Sequence, residues 1–142
     1  MKKTKGFTLI ELLAVIVILA VIALIVTPMI MNTINSARQG AAKSSAYEYI
    51  HAIETRLAVL QMDNKTYTGK TSAGSTTGDA LAIAAGKVTD AKSYSWDNLA
   101  NHTTDIKGTV YVLGLSVSSA DLTVTNGTDW GFTYDGSSLS SK

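Results

Sequence analysis

Lys5-Gly6-Phe7-Thr8-Leu9-Ile10-Glu11 stands at the head of an apolar run that continues to Met31. The 25 residues of the segment 7–31 would form a helix about 37 Å long, enough to span a bilayer with some tilt. One carboxylate, that of Glu11, lies inside this run, and an acidic group at the centre of a membrane helix costs about 2.5 to 3.5 kcal/mol. The segment therefore predicts a membrane helix in which Glu11 needs a partner or a function.

Length and composition limit what the rest of the chain can be. Of the 142 residues, about a hundred follow the apolar run, which is enough for one small domain. Lys2, Lys3 and Lys5 precede the run and Glu11 lies within it, so 9 of the 12 basic side chains and 10 of the 11 acidic ones follow it. This slightly acidic remainder does not indicate a nucleic-acid partner. The sequence contains no cysteine, which excludes disulfides and thiolate metal sites.

Three interpretations of the N-terminal segment are open. A secretory signal has an apolar core of about 7 to 15 residues and a small-residue cleavage site, whereas this run is longer and no such site clearly closes it. A plain single-pass anchor fits the length, and the three lysines before the run, against only Arg38 and Lys43 shortly after it, place the N-terminus in the cytoplasm. A plain anchor, however, leaves Glu11 unexplained.

The third interpretation is a resemblance. Lys-Gly-Phe-Thr-Leu-Ile-Glu followed by an aliphatic stretch resembles the N-terminal signature of type IV prepilins and of the related pseudopilins of secretion and competence systems. In that family a membrane-embedded prepilin peptidase cuts after the glycine and methylates the new terminal amine. The resemblance implies cleavage between Gly6 and Phe7, N-methylation of Phe7, loss of the leader 1–6, and an assembly role for Glu11.

Charge explains why such a motif would favour assembly. Cleavage gives Phe7 a cationic amine, and two unit charges at about 4 Å attract by roughly 4 kcal/mol at an effective dielectric constant of 20. The amine and Glu11 of one chain lie about one helical turn apart, but an incoming subunit can instead bring its amine to the Glu11 of a neighbour. We expect Glu11 to be the assembly and register residue; a snorkelling or protonated glutamate is the alternative.

The resemblance also implies partners and a location. The partners would be further copies of the chain in a helical homopolymer, prepilin peptidase, the pilus assembly platform and minor pilins. The precursor would lie in the cytoplasmic (inner) membrane as a single-pass protein with its N-terminus in the cytoplasm, and the product would be an extracellular pilus on the cell surface. The resemblance implies no cofactor.

Pro28 is the only proline of the sequence and lies inside the apolar run. Proline removes one backbone hydrogen bond from a helix and clashes with the preceding turn, which predicts a kink at Pro28. The alternative is that Pro28 marks the end of the membrane helix. Pilins commonly have a proline at a comparable position, where the helix can loosen in the fibre.

The pattern changes twice after the apolar run. Residues 32–62 continue the helix with an amphipathic face, and Asp63-Asn64 is a plausible stop. The face comprises apolar residues spaced by three or four: Ile34, Ala37, Ala41, Ala46, Tyr49 or Ile50, Ile53, Leu57 and Leu60. Residues 63–106 are turn-rich and predict a variable connecting region with a short helix over 79–88.

Residues 107–142 predict an antiparallel sheet, with strands at 109–117, 121–125 and 128–134. Asn126-Gly127 predicts a type I′ hairpin turn between the last two strands. Alternation places Val110 and Val112 on one face and Val117 on the other, and one face should cover the region of Ile53 and Leu57. The aromatic residues are expected to be core. The fold class is therefore α+β: a long N-terminal helix packed on a sheet of three or four strands.

The sequence shows no catalytic or metal-binding constellation. No nucleophile with a base and no pair of acids is recognisable, and Gly69, Gly74 and Gly78 lack the residues of a phosphate-binding loop. His51 and His102 are isolated, so we expect no metal site. The acidic and amide side chains near the C-terminus have calcium-binding chemistry, but turn formation explains them better; they are Asp121, Asn126, Asp129 and Asp135.

Three functions remain. The first is a structural subunit of a type IV pilus, cleaved, methylated and polymerised through its N-terminal helix. The second is a pseudopilin of a type II secretion or competence pseudopilus. The third is a single-pass anchored binding protein that never polymerises, and retention of residues 1–6 on the mature protein would favour it.

Overall fold

The computed structural model describes residues 6–65, 67, 79–90, 92, 94–96, 99 and 106–142. The helix is α1 (Leu9–Met62), and the strands are β1 (Asp79–Ala84), β2 (Lys87–Asp90), β3 (Ile106–Leu113), β4 (Ser116–Thr125), β5 (Asp129–Tyr134) and β6 (Leu139–Ser141). The chain forms two compact units, Met1–Ala37 and Arg38–Lys142, which we call the stem and the head. Some residues of the sequence analysis lie outside the described ones: the leader residues 1–5, Gly69, Gly74, Gly78 and His102.

The stem contains the first half of α1. Its described residues are all exposed, including large apolar side chains such as Leu24 and Leu9. By length and composition, α1 contains a segment able to cross a membrane, near the N-terminus of the chain. The predicted helix is thus present, although it begins at Leu9 rather than Phe7.

The head contains the second half of α1, which buries one face. The predicted stripe from Ala46 to Leu60 is confirmed, but at its start Ala42 is buried and the predicted Ala41 is exposed. The helix ends at the predicted stop, where Asn64 has a φ of 56° and the amide of Lys65 donates to the carbonyl of Leu60 at 3.0 Å. A left-handed residue that turns the chain back in this way is a common helix C-terminus.

The strands form one antiparallel sheet in the order β2-β1-β3-β4-β5-β6. The α+β class is confirmed, but the sheet has six strands rather than three or four. The additional ones are β1 and β2, which extend one edge, and the short β6, which extends the other. Regular sheet therefore begins well before residue 107.

The predicted short helix over 79–88 is wrong, because β1, a tight turn and β2 occupy this segment. Leu81 and Ile83 point into the core, while the alanines on either side of each are exposed. Ala85 and Gly86 both have positive φ, 50° and 71°, as a two-residue type I′ hairpin requires. Alanine favours helices by only a few tenths of a kcal/mol per residue, roughly, so pairing of β1 with β3 overrides that preference.

The predicted strand over 109–117 is also wrong in extent. A turn at Gly114 and Leu115 divides it into the end of β3 and the start of β4, and Val112 pairs with Val117. Val117 is consequently buried on the same face as Val112, not on the opposite one. A hairpin between β4 and β5 is present as predicted, but its loop spans residues 126–128 and only Gly127 has positive φ.

One hydrophobic core lies between the head helix and the sheet. Ile53 and Leu57 share it with buried residues of every strand from β3 to β6. The prediction that the aromatic residues are core is confirmed: Phe132 is fully buried, and Trp130 and Tyr134 pack against the cluster. Tyr49, also buried, donates its hydroxyl proton to the carbonyl of Gly86 at 2.9 Å and so connects α1 to the β1–β2 turn.

Candidate functional site

The predicted processing bond lies just before α1. Gly6 and Phe7 have no regular secondary structure and are exposed. A Cβ atom built on Gly6 would meet no heavy atom within 4 Å. Within the described part of the chain, nothing therefore shields the Gly6–Phe7 peptide bond, as expected for a bond that a peptidase must reach.

Thr8 and Glu11 form a capping box at the start of α1. The backbone amide of Thr8 and its hydroxyl both donate to Glu11 Oε2, at 2.8 Å and 2.7 Å, and the amide of Glu11 donates to Thr8 Oγ1 at 3.3 Å. In this arrangement the two side chains satisfy each other's backbone amides, which have no partner within the helix. Glu11 thus has a partner inside its own chain.

Sequence reasoning missed the role of Thr8, although the signal is present. Thr8-Leu9-Ile10-Glu11 has the Thr-x-x-Glu spacing of a capping box. The cost of the Glu11 charge in lipid indicates partners in neighbouring subunits, whereas the capping partner lies three positions earlier in the same chain. Both of the hydrogen bonds that the carboxylate accepts reach Oε2, and Oε1 accepts none from the described residues. One carboxylate oxygen therefore remains for a further cation.

Pro28 lies within α1 and does not end it. Because proline has no amide hydrogen, the carbonyl of Leu24 loses its helical donor. The hydroxyl of Thr27, next to the proline, donates to the carbonyl of Ala23 at 2.6 Å, and that of Thr33 donates to the carbonyl of Met29 at 3.1 Å. Such back-bonding is associated with bent helices, so a kink at Pro28 stays a prediction.

Residue types able to bind metals are dispersed over the head. Asp121 pairs with Lys142 and Asp129 pairs with Lys107. The hydroxyl of Thr125, followed by Lys107, holds the pKa of Asp129 below its usual range. In the β5–β6 loop, the amides of Ser138 and Ser137 lower the pKa of Asp135 to about 2. These contacts agree with turn and surface roles.

No group of three or more histidine, aspartate or glutamate residues in the described ranges could hold a metal ion. His51 lies 3.3 Å from Glu54 at the head helix surface. The structure thus brings Thr8 and Glu11 together beside the predicted processing bond. Among the described residues, it does not bring the other predicted side chains together into a site.

Comparison with known proteins finds matches to the N-terminal part of the chain. The family described as the prokaryotic N-terminal methylation motif matches residues 1–27. The type II secretion system core protein G of Dickeya chrysanthemi is 38% identical over 66 residues, 46% of this chain and 40% of that protein. That of Escherichia coli K12 is 38% identical over 65 residues, 46% of this chain and 42% of that protein.

A pilus protein is similar to the same extent. The type IV wide pilus major component of Thermus thermophilus is 36% identical over 73 residues, 51% of this chain and 53% of that protein. The first 27 residues thus match the methylation motif, and the relatives of the chain include type II secretion core proteins G and a type IV pilus component. The chain spans about two fifths to half of the length of these curated relatives. No solved structure matches it significantly.

Proposed function

We propose that this chain is the structural subunit of a type IV pilus. Prepilin peptidase cleaves it between Gly6 and Phe7 and methylates the Phe7 amine, and the product polymerises through its N-terminal helix. The observation that carries the proposal is the fully exposed apolar stem, which has one carboxylate, Glu11, close behind an unshielded processing bond. The role is structural and requires no catalysis by the chain.

The stem supports a membrane stage followed by a polymer stage. So much exposed aliphatic surface is unfavourable in water, because each Å² of it costs about 25 cal/mol. Lipid covers this surface in the precursor, which lies in the cytoplasmic membrane with its N-terminus in the cytoplasm. Stems of neighbouring subunits cover it in the extracellular fibre, which the assembly platform and minor pilins help to build.

The capping box supports a specific form of the Glu11 contact. Thr8 holds Oε2 and thereby fixes the carboxylate at the start of α1, while Oε1 accepts no hydrogen bond from the described residues. The methylated Phe7 amine of an incoming subunit would bind at Oε1. That pairing removes the cost of a lone carboxylate in hydrocarbon and sets the register of the added subunit.

Variants of the capping box separate the charge of Glu11 from its capping. Glu11→Gln keeps the acceptor that a capping box needs but removes the charge, whereas Thr8→Val weakens the cap and keeps the charge. We expect Glu11→Gln to be exported, cleaved and methylated but not assembled, and Thr8→Val to retain assembly. Mass spectrometry of Phe7 and electron microscopy of surface fibres measure the two steps.

The opposite pattern would refute the assembly role. If Glu11→Gln forms normal fibres and Thr8→Val forms none, Glu11 acts only as a helix cap. Glu11→Ala removes both contributions and serves as the reference for complete loss. Retention of residues 1–6 on the mature wild-type chain would favour the non-polymerising anchored protein.

A pseudopilus subunit is the second candidate, because two relatives at 38% identity are named as type II secretion core proteins. The same cleavage and Glu11 pairing would then build a short periplasmic filament for secretion or DNA uptake. Deletion of the gene distinguishes the two: loss of long surface fibres indicates a pilus, and loss of secretion or transformation with fibres intact indicates a pseudopilus.

A further inference from the structure

The first residue of the head, Arg38, contacts the loop between β4 and β5. The side-chain amide of Asn126 donates to the carbonyl of Arg38 at 3.3 Å. A Cβ atom on Gly127 would lie 3.1 Å from an Nη atom of Arg38, so the guanidinium lies directly over the glycine. We call Arg38, residues 126–128 and Trp130 the Arg38 surface.

The guanidinium of Arg38 has unused binding capacity. Arg38 is exposed, and no acidic side chain in the described part of the chain pairs with it. By contrast, Lys107 and Lys142 on the sheet each pair with an aspartate. A guanidinium has five N–H donors in a planar fork that suits the oxygens of a phosphate group.

Trp130 lies beside this loop and is half-buried. Its ring packs against the core, but its Nε1–H is buried and finds no acceptor among the described residues. Tryptophan is enriched where membranes meet water, because its ring sits at the level of the headgroups. Trp130 follows the same loop that contacts Arg38, three residues after Gly127.

The length of α1 determines how far Arg38 lies from the apolar run. Arg38 follows Met31, the end of the apolar run, by seven positions in α1, which is about 10 Å of helix. The polar layer on each side of a bilayer is about 5 to 8 Å thick. If the segment 7–31 fills the hydrocarbon, the Arg38 backbone lies just beyond this polar layer, and its long side chain can reach back to the lipid phosphates.

We propose that the Arg38 surface docks the head of the precursor on the bilayer, with a lipid phosphate bound by the guanidinium of Arg38. This docking rests on the membrane stage of the proposed function. It would hold the β4–β5 loop on the lipid surface until the subunit leaves the membrane for the fibre. A Cβ atom at Gly127 would press against the guanidinium, and the φ of 76° at Gly127 also disfavours a side chain there.

The two tryptophans provide a matched test. The carbonyl of Ser95, beside Trp96, accepts hydrogen bonds from Arg56, which lies 18 residues beyond Arg38, about 27 Å along the helix. The full chain is reconstituted in vesicles of phosphatidylcholine and phosphatidylglycerol with a nitroxide on the headgroup. Trp96→Phe then reports on Trp130, and Trp130→Phe reports on Trp96 at the far end of the head.

We expect fluorescence quenching of Trp130 to be several-fold stronger than that of Trp96. In the Trp96→Phe background, Arg38→Gln should weaken docking about fivefold, the effect of one basic residue at an anionic surface. Gly127→Ala should weaken it as well, and Lys87→Gln, which removes an exposed cation of β2, should not. Circular dichroism verifies that each variant remains folded.

Several results would overturn the proposal. Equal quenching of the two tryptophans, or quenching unchanged by Arg38→Gln, would do so. Protection of Trp130 that rises with protein density and not with nitroxide lipid would identify a second copy as the occupant instead. Alkaline extraction separates the failures: release of the chain from vesicles contradicts the membrane stage itself, and retention without quenching of Trp130 contradicts only the docking.

Discussion

Replacement of Tyr49 by phenylalanine tests how the head helix is joined to the edge of the sheet. The Tyr49 side chain is fully buried, and its hydroxyl donates to the carbonyl of Gly86 in the β1–β2 turn at 2.9 Å. Gly86 is itself buried. Tyr49→Phe keeps the ring but leaves that carbonyl without its donor.

The expected loss of stability follows from this geometry. A buried carbonyl left unsatisfied costs about 1 to 3 kcal/mol. For a domain of this size, Tm falls by about 4 to 8 °C for each kcal/mol. We therefore expect the free energy of unfolding of the head to fall by about 2 kcal/mol at pH 7, measured by denaturation of the full chain in detergent.

Burial also gives this residue a pH dependence. It raises the pKa of Tyr49 from 10.0 to about 12, because ionisation inside the head is unfavourable. The contribution of Tyr49 is therefore fully present below pH 10 and is lost as the pH rises from about 10 to about 12. At pH 11 the difference between wild type and Tyr49→Phe should shrink by about 1 kcal/mol.

A control variant tests whether the hydrogen bond from Tyr49 to Gly86 stabilises the head. Tyr111→Phe removes the hydroxyl of a half-exposed tyrosine on β3 and should change stability by less than about 0.5 kcal/mol. If Tyr49→Phe is as mild as Tyr111→Phe, the hydrogen bond to Gly86 contributes nothing. If wild type, Tyr49→Phe and Tyr111→Phe all lose the same free energy of unfolding between pH 10 and 12, ionisation of Tyr49 does not cause the loss of stability at alkaline pH.

Two further predictions concern the sheet and its last loop. A Cβ atom on Gly108 would clash with the backbone carbonyl of Asp121, so Gly108→Ala should cost about 3 kcal/mol or more. Gly40→Ala, in α1 with open space around the added atom, should instead stabilise by about 1 kcal/mol, and equal denaturation midpoints for the two variants would contradict the register of β3 and β4. The amides of Ser138 and Ser137 lower the pKa of Asp135 from 3.8 to about 2, so its contribution holds above pH 3.8 and is lost as the pH falls through 2. Titration of the Asp135 carboxyl by NMR measures this, and a midpoint near 4 would mean that the loop does not hold the carboxylate.

The sequence by itself determined the local features of this protein. The apolar run, the helix that continues to Met62 and the Asp63-Asn64 stop depend on composition and periodicity along one stretch of chain. The capping box of Thr8 and Glu11 is equally local, since its two residues are three positions apart. It could have been predicted, and its spacing was overlooked because the charge of Glu11 drew the interpretation toward neighbouring subunits.

Only the tertiary structure decided how the sheet is built. The alanine-rich segment of β1 has no strong local preference, and it is a strand because β3 provides a partner on one side and β2 on the other. Val117 lies on the core face because the turn at Gly114 reverses the chain before it. The contact of Arg38 with Gly127 joins residues far apart in sequence. Such contacts depend on the free energy of packing among distant segments, which a helical or strand period along one segment does not contain.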